Sequence, residues 1–349
     1  MIVTFTANPS LDRTVALPGP LARGEVQRAV SVSQESGGKG VNVSRALVAS
    51  GLETIAVLPG AENDPVLAGL LHDGVPFAAL PIEQPLRTNV ALTEPGGVTT
   101  KINEPGPIMD ADQQEALIGL LLERARGASW VVMAGSLPPG FPADFYATVT
   151  RRLRSGAGSG AGIGADGGAP LIAVDSSGGP LVAAVSGPSP DGTAQHGTSQ
   201  NGVSGKPDLL KPNAEELAEL AAAAGFATAS TADELEADPE AAAAAAAAVV
   251  RSGVGAVLAT LGSKGAVLVT ADGAWLATHP PVAAVSTVGA GDSSLAGYLL
   301  AHGQGAAPAD CLRQAVAHGA AAASLPGSTV PAVHQTTPDA VTITALRKD

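Results

Sequence analysis

Aromatic residues make up only 3% of this 349-residue sequence, so its core must be built from Val, Leu, Ile and a large complement of Ala. A single cysteine, Cys311, excludes an intrachain disulfide and makes the cytosol the expected compartment. No apolar run approaches the ~20 residues that a membrane-spanning helix needs. The longest, 241–250, is mostly alanine between Glu240 and Arg251 and predicts an ordinary helix. Positive charge is scarce. Lys and Arg number 19 against 32 Asp and Glu, and the net charge of −13 argues against nucleic acid and anionic membranes as partners. An anionic small molecule remains admissible wherever lysines, arginines and backbone N–H groups gather. The sequence has no GxxxxGK[ST] phosphate loop and no His or Cys cluster with metal-ligand spacing. Its opening residues, Met-Ile-Val-Thr-Phe-Thr-Ala-Asn-Pro, lack a basic region and read as a first strand, not as a targeting signal.

What is abundant is glycine, and one glycine turn organises the reading. Residues 286–300 run Ser-Thr-Val-Gly-Ala-Gly-Asp-Ser-Ser-Leu-Ala-Gly-Tyr-Leu-Leu, a turn feeding a helix N-terminus. Free N–H groups and the positive end of the helix dipole make such a place a ready anion site. Asp292 is the one carboxylate there. Beside an anion hole it can take a proton from a hydroxyl while N–H groups hold the charge on a transferring phosphoryl group. The alternative for an isolated Gly-Ala-Gly-Asp is a carboxylate that merely caps its helix.

Along the chain, 2–6 reads as a strand closed by Asn8-Pro9, with weaker strands at 15–17 and 26–32. Gly37-Gly-Lys-Gly opens a helix that runs to about Ser50, and 90–93 with 99–102 forms a hairpin around Gly96-Gly97. From Asp110 onward strands and helices alternate, which predicts a mostly parallel sheet with helices on both faces. Ligands in such sheets sit at the carboxyl ends of strands, where the glycine loops fall. Two stretches, about 155–169 and 186–206, are rich in Gly, Ser and Pro and read as flexible surface insertions. A formal G-x-G-x-x-G at 162–167 precedes a strand instead of joining strand to helix, so it carries no nucleotide reading.

Six motifs occur in fixed order: Asn8-Pro-Ser-Leu-Asp12, Gly37-Gly-Lys-Gly-Val-Asn42, Gly135-Ser-Leu-Pro-Pro-Gly140, Lys211-Pro-Asn213 with Glu216, Thr260-Leu-Gly262 and Thr287-Val-Gly-Ala-Gly-Asp292. Each alone is weak; the ordered set resembles the ribokinase-like, PfkB-type sugar kinases from residue 1 to about 330. Arg23-Gly-Glu-Val26 and Thr100-Lys-Ile-Asn-Glu-Pro-Gly-Pro107 resemble most the bacterial 1-phosphofructokinase branch. The resemblance implies one α/β domain, a ribokinase-like three-layer sandwich with a mostly parallel central sheet. It also implies a small β lid from about 11–33 and 86–103, which in relatives often pairs with a second subunit in a homodimer.

The same resemblance assigns roles. Asp292 becomes the base, with Gly289, Ala290 and Gly291 as the anion hole. Asp12 and Asn42 hold sugar hydroxyls, Gly37 and Gly38 line the sugar, and Lys39 and Arg87 bind the phosphate already on it. Lys101 and Asn103 are weaker candidates for that phosphate, and Ser136 touches the substrate. Lys211, Asn213 and Glu216 organise Mg2+ near the ATP phosphates, Glu216 through water; Thr260, Gly262 and Gly265 line the ATP cleft. His318 lies either on the adenine wall or inside a packed helix. The implied reaction is ATP- and Mg2+-dependent phosphorylation of fructose 1-phosphate at its 6-hydroxyl. Fructose 6-phosphate and tagatose 6-phosphate stay open as acceptors, and so does a catalytically silent sugar-phosphate sensor.

Overall fold

The computed structural model describes residues 1–156, 169–186, 205–223 and 230–346. The two glycine-rich stretches expected to be flexible lie largely outside them. The chain begins with strands β1 (Ile2–Phe5), β2 (Ser10–Ala16) and β3 (Ser31–Gly37) and helix α1 (Lys39–Ala49). There follow β4 (Thr54–Pro59), α2 (Pro65–His72), β5 (Phe77–Leu80), β6 (Arg87–Thr93) and β7 (Thr99–Asn103). The middle supplies α3 (Ala111–Arg124), β8 (Trp130–Ala134), α4 (Phe145–Gly156), β9 (Leu171–Asp175), α5 (Gly178–Ser186), β10 (Leu209–Leu210) and α6 (Ala214–Ala223). Then come α7 (Ala232–Ala237), α8 (Pro239–Arg251), β11 (Ala256–Thr260), β12 (Ala266–Thr270) and β13 (Ala274–Thr278). The chain closes with α9 (Ala290–Gly303), α10 (Pro308–Ala323) and β14 (Thr342–Leu346).

Among the described residues the strands form two sheets. The larger has the order β14-β13-β12-β11-β10-β9-β8-β1-β4-β5, parallel from β11 through β5 and antiparallel from β11 through β14. Successive side chains on a strand point to opposite faces, and the sequence supplies apolar residues to both. Val131 and Met133 of β8 join the core under α2 to α8, whereas Trp130, Val132 and Ala134 join the one under α1, α9 and α10. With few aromatics available, alanine does much of the filling. In α8, capped by the Asp238 carboxylate, Ala242, Ala245 and Ala246 are buried.

The smaller sheet, β3-β2-β6-β7, stands apart from the larger one. Its extent differs from the expectation of a strand at 26–32 followed by a glycine loop. Pairing with β2 runs from Ser10 opposite Gly37 to Ala16 opposite Ser31, so Glu35, Ser36 and Gly37 belong to β3. Val26 and Val30 are left exposed before it. The tail past Pro331 adds β14 as the edge strand of the larger sheet.

Gly40 shows how the second glycine motif packs α1 on β1. A Cβ there would lie 2.8 Å from the Phe5 carbonyl oxygen and collide with the Thr6 side chain, and the central strand has no room to yield. Gly40→Ala is expected to cost about 1–3 kcal/mol of stability, read as a lower denaturation midpoint at unchanged m-value.

Candidate active site

The first turn of α9 is capped by Gly289, whose φ of 77° belongs to the left-handed region that glycine enters without a Cβ clash. The Ala290 N–H leans on Thr287 O at 3.4 Å, and those of Gly291 and Asp292 make no backbone hydrogen bond among the described residues. The Gly289 N–H likewise makes no backbone hydrogen bond among the described residues, so N–H groups of this turn lie open beside the buried Asp292 carboxylate. Across from this turn, α1 starts at Gly38 (φ 110°) and presents Lys39 and Asn42 one helical turn apart. Asn42 Nδ2 donates to Asp292 Oδ2 at 2.8 Å, and Asn42 Oδ1 accepts nothing. The bond fixes the carboxylate's orientation from a helix 250 residues away in sequence.

A third element closes the cluster. Asp175 ends β9 and is fully buried, with Lys39 Nζ at 2.7 Å from its Oδ1 and Lys211 Nζ at 3.0 Å from its Oδ2. Lys39 also lies 3.5 Å from Glu216 Oε1, and Lys211 Nζ is close enough to α9 that a Cβ on Gly291 would lie 3.1 Å from it. Burial works to raise the Asp175 carboxyl, but Lys211 and Lys39 prevail and hold it below the usual carboxylate range. Lys39 answers in kind: burial pulls it down, yet Asp175 and Glu216 keep it above an ordinary lysine. Asp292 goes the other way. Burial and the negative charge of Asp175 push it up to about 6, against the pull of Lys211, the Asn42 hydrogen bond and Lys39.

The Asn213–Glu216 pair has a structural explanation in the same place. Glu216 N donates to Asn213 Oδ1 at 2.8 Å while Glu216 Oε2 accepts from Asn213 N at 2.9 Å, a reciprocal cap at the start of α6. Thr260 bridges Asn213, so both stand at the carboxyl edge of the larger sheet. Gly262 and Gly265 follow in a tight turn with φ of 53° and 102°. A Cβ on Gly265 would run into the Ala277 carbonyl, so that glycine is required by β-strand packing whatever it lines.

On the smaller sheet, residues in register share a face. Ser10 stands opposite Gly37 and Arg87; Asp12 stands opposite Glu35 and Asn89; Asn103 stands opposite Asn89, with Lys101 two residues away. This collects Asp12, Arg87, Asn89, Lys101 and Asn103 on one polar face. Asp12 Oδ1 accepts from Ser10 Oγ at 2.7 Å and from Asn89 Nδ2 at 3.0 Å. A Cβ at Gly37 would collide with that carboxylate, so the glycine makes its room. Among the described residues the Arg87 guanidinium gives one bond, to Glu104 O at 3.3 Å, and its buried Nε has no partner. Ser136 is exposed on a cavity of about 590 Å³ that Pro105, Leu137 and Gly178 also line.

The model of the pfkB family of carbohydrate kinases matches residues 6–158 and 166–335. The chain belongs to that family. The kinase is 34% identical over 321 residues to the 1-phosphofructokinase of Rhodobacter capsulatus, covering 90% of this chain and 88% of that protein. It is 32% identical over 330 residues to the ATP-dependent 6-phosphofructokinase isozyme 2 of Mycobacterium tuberculosis, covering 94% and 85%. The phosphofructokinase-2 of Escherichia coli, solved in complex with substrates and products, superposes with a TM-score of 0.77 at 27% identity, covering 96% of each chain. The two-sheet sandwich is accordingly of the ribokinase-like class, and the protein is an ATP-dependent sugar kinase.

Several expected residues sit differently from their first assignment. Lys39, assigned to the sugar's own phosphate, is committed to Asp175 and Glu216 next to Lys211. It therefore groups with the carboxylates near Asp292 and not with Arg87 on the smaller sheet. Asn42, assigned to a sugar hydroxyl, gives one amide N–H to Asp292, and its Oδ1 accepts no hydrogen bond among the described residues. His318, by contrast, is a packed helix residue, wholly buried and bonded to Gln314 and Ser50. Asp175 was not singled out as a site residue. The available signal was a carboxylate closing an apolar central strand, where α/β sheets gather ligands.

A carboxylate serving as a base must be ionised to act, so activity carried by Asp292 would rise with pH through its pKa. For this kinase, kcat/KM is expected to fall on the acid side with a midpoint near 6. Asn42→Ala removes a hydrogen bond that favours the charged form and moves that midpoint upward. A pH–rate profile of both proteins with an unmoved acid limb would remove Asn42 from the base.

Proposed function

We propose that this kinase is a 1-phosphofructokinase, carrying the γ-phosphoryl group of ATP to the 6-hydroxyl of fructose 1-phosphate. The observation that carries the reading is the buried Asp292 carboxylate, aimed by Asn42 and set beside open N–H groups at the head of α9. Asp292 takes the 6-hydroxyl proton as that oxygen bonds to the γ-phosphorus, and the bond from phosphorus to the β–γ bridging oxygen breaks, leaving fructose 1,6-bisphosphate and ADP. The N–H groups of Gly289, Ala290 and Gly291 steady the charge on the moving group. Lys39 and Lys211, both within reach of that turn through Asp175, neutralise the ATP phosphates. Thr260, Gly262 and Gly265 flank the nucleotide. Asp12, Asn42 Oδ1, Ser136 and the backbone of Gly37 and Gly38 take the sugar; Arg87, with Lys101 and Asn103, takes its phosphate.

Among the described residues no three His, Cys, Asp or Glu side chains cluster as a metal cage. That fits Mg2+, which keeps most of its waters and leans on substrate phosphates, needing one or two carboxylates. Glu216, oriented by its cap with Asn213, would hold such an ion through water, and the ion would supply charge neutralisation on the β- and γ-phosphates. A silent sensor is disfavoured because it needs neither Asp292 nor the Asn213–Glu216 pair. The cytoplasm is the compartment of this reading, in keeping with a single, buried cysteine.

In an assay of ADP release with ATP and Mg2+, fructose 1-phosphate is expected to exceed fructose 6-phosphate and tagatose 6-phosphate at least tenfold in kcat/KM. A reversed order would transfer the enzyme to the 6-phosphofructokinases or tagatose-6-phosphate kinases. Asp292→Asn should cut kcat by about 10²–10⁴ with sugar-phosphate binding within a few-fold of wild type. Undiminished turnover in that variant would refute the base.

The smaller sheet serves in this reading as a lid, and its face opposite Asp12 carries Val15, Val32, Val90, Leu92 and Ile102. Val32 is 49% and Ile102 56% exposed, an apolar face that a second copy of the lid would cover in a homodimer. Ile102→Glu is expected to weaken dimerisation at least tenfold in sedimentation equilibrium; a variant as dimeric as wild type would exclude this face.

A further inference from the structure

The lid holds a polar side chain that the reaction described above does not use. Asn89 lies on β6 opposite Asp12 on the neighbouring β2, so the two side chains share the sugar-facing surface. Its Nδ2 donates to Asp12 Oδ1 and to Ser10 Oγ, each at 3.0 Å. A carboxylate oxygen only accepts, so this bond fixes which way the amide is turned. The carbonyl Oδ1 on its other side is buried and accepts no hydrogen bond among the described residues. Leaving a buried acceptor bare costs about 1–3 kcal/mol, and such an atom calls for a donor that arrives from outside. Asp12 is in a matching position: Oδ1 takes two hydrogen bonds, and no bond to Oδ2 is present among the described residues. Paired residues of these adjacent parallel strands stand ~5 Å apart, close enough for both side chains to reach hydroxyls of one sugar ring.

The geometry points to Asn89 as a specificity-determining residue whose Oδ1 accepts a second ring hydroxyl of the acceptor sugar, alongside the one taken by Asp12. This rests on the sugar-phosphate kinase reading and deepens it, because it names a polyol with at least two free ring hydroxyls as the ligand of the lid. A purely structural Asn89 would only hold Asp12 in place; a hydroxyl-reading Asn89 also discriminates among sugars.

The test uses monodeoxy analogues of fructose 1-phosphate, each lacking one ring hydroxyl, with the full-length wild type, Asn89→Ala and Asn89→Ser. Wild type should lose about tenfold in kcat/KM on the analogue lacking the hydroxyl that Asn89 reads. Asn89→Ala should show that loss on the intact sugar and discriminate no further against that analogue, while keeping its penalty on the one read by Asp12. Asn89→Ser, which keeps a donor toward Asp12 but withdraws the carbonyl, should behave alike and guards against a misfolded alanine variant. Equal weakening on every sugar, with discrimination intact, would make Asn89 a scaffold and overturn the inference. So would a wild type indifferent to every single hydroxyl, a result that needs no variant. If wild type turns over no sugar phosphate at all, the substrate reading itself falls and takes this inference with it.

Discussion

A carboxylate with no exposed surface, gripped between two lysine ammonium groups, sets the electrical balance of the whole site. Asp175 would be costly to ionise where it sits, and Lys39 and Lys211 would be costly to leave charged without it. Together they are tolerable. Glu216 and Asp292 then make three carboxylates facing two lysines, so one negative charge is left over when all are ionised. The last carboxylate to settle is the one with the weakest cationic company. Burial and the neighbouring Asp175 charge raise the affinity of Asp292 for a proton against the Asn42 bond, and a raised affinity is what a base for a sugar hydroxyl requires.

The backbone keeps this balance in place. Gly135 N donates to Asp175 O, and Gly135 O accepts both Tyr146 Oη at 2.9 Å and Ser176 Oγ at 3.0 Å. The tips of β8 and β9 are thereby tied to α4 beneath them. On the other side, Arg45 of α1 reaches Asp73, Ser36 O and Ser328 O, and Ser328 Oγ bonds Glu35 of β3. The root of the lid, the helix carrying Lys39 and Asn42, and the loop beside Gly289 are fastened at one knot. Lid and base are thus referred to a common frame although 280 residues separate Asp12 from Asp292.

Local patterns made a good part of this legible. The glycine turn before Asp292, the turn before α1 and the alternation after Asp110 follow from backbone sterics and side-chain periodicity, which act over a few residues. What could not be read was the direction of single charged side chains. Lys39 at the head of α1 could face the lid or the sheet, and only Asp175, 136 residues away, decides it. Asn213 and Glu216 were recognisable as a pair, but their reciprocal cap at the head of α6 emerged only from the fold. The position of β3 escaped because its exposed, polar sequence has no apolar rhythm; register with β2 defines it. Asn89 escaped for the same reason, since its meaning arises only from the strand beside it.

The arrangement of the lid bears on how such an enzyme separates near-identical sugars. A fructofuranose carries CH2–O groups on both carbons beside the ring oxygen, so fructose 1-phosphate and fructose 6-phosphate present a phosphate and a free primary hydroxyl at nearly interchangeable ends. A cation placed as Arg87 is in the proposed site would fix the phosphate end in either case and discriminate little. The difference lies in the ring: the anomeric hydroxyl stands on the phosphate side in one sugar and on the acceptor side in the other. Discrimination must therefore come from directional acceptors held at fixed spacing from the cation. Asp12 and Asn89 face each other across β2 and β6, one pleat repeat along from Ser10 and Arg87, ~7 Å at strand geometry. In the proposed site, a hydroxyl moved to the wrong carbon leaves an acceptor on this face unmet, and for the buried Asn89 Oδ1 that costs about 1–3 kcal/mol.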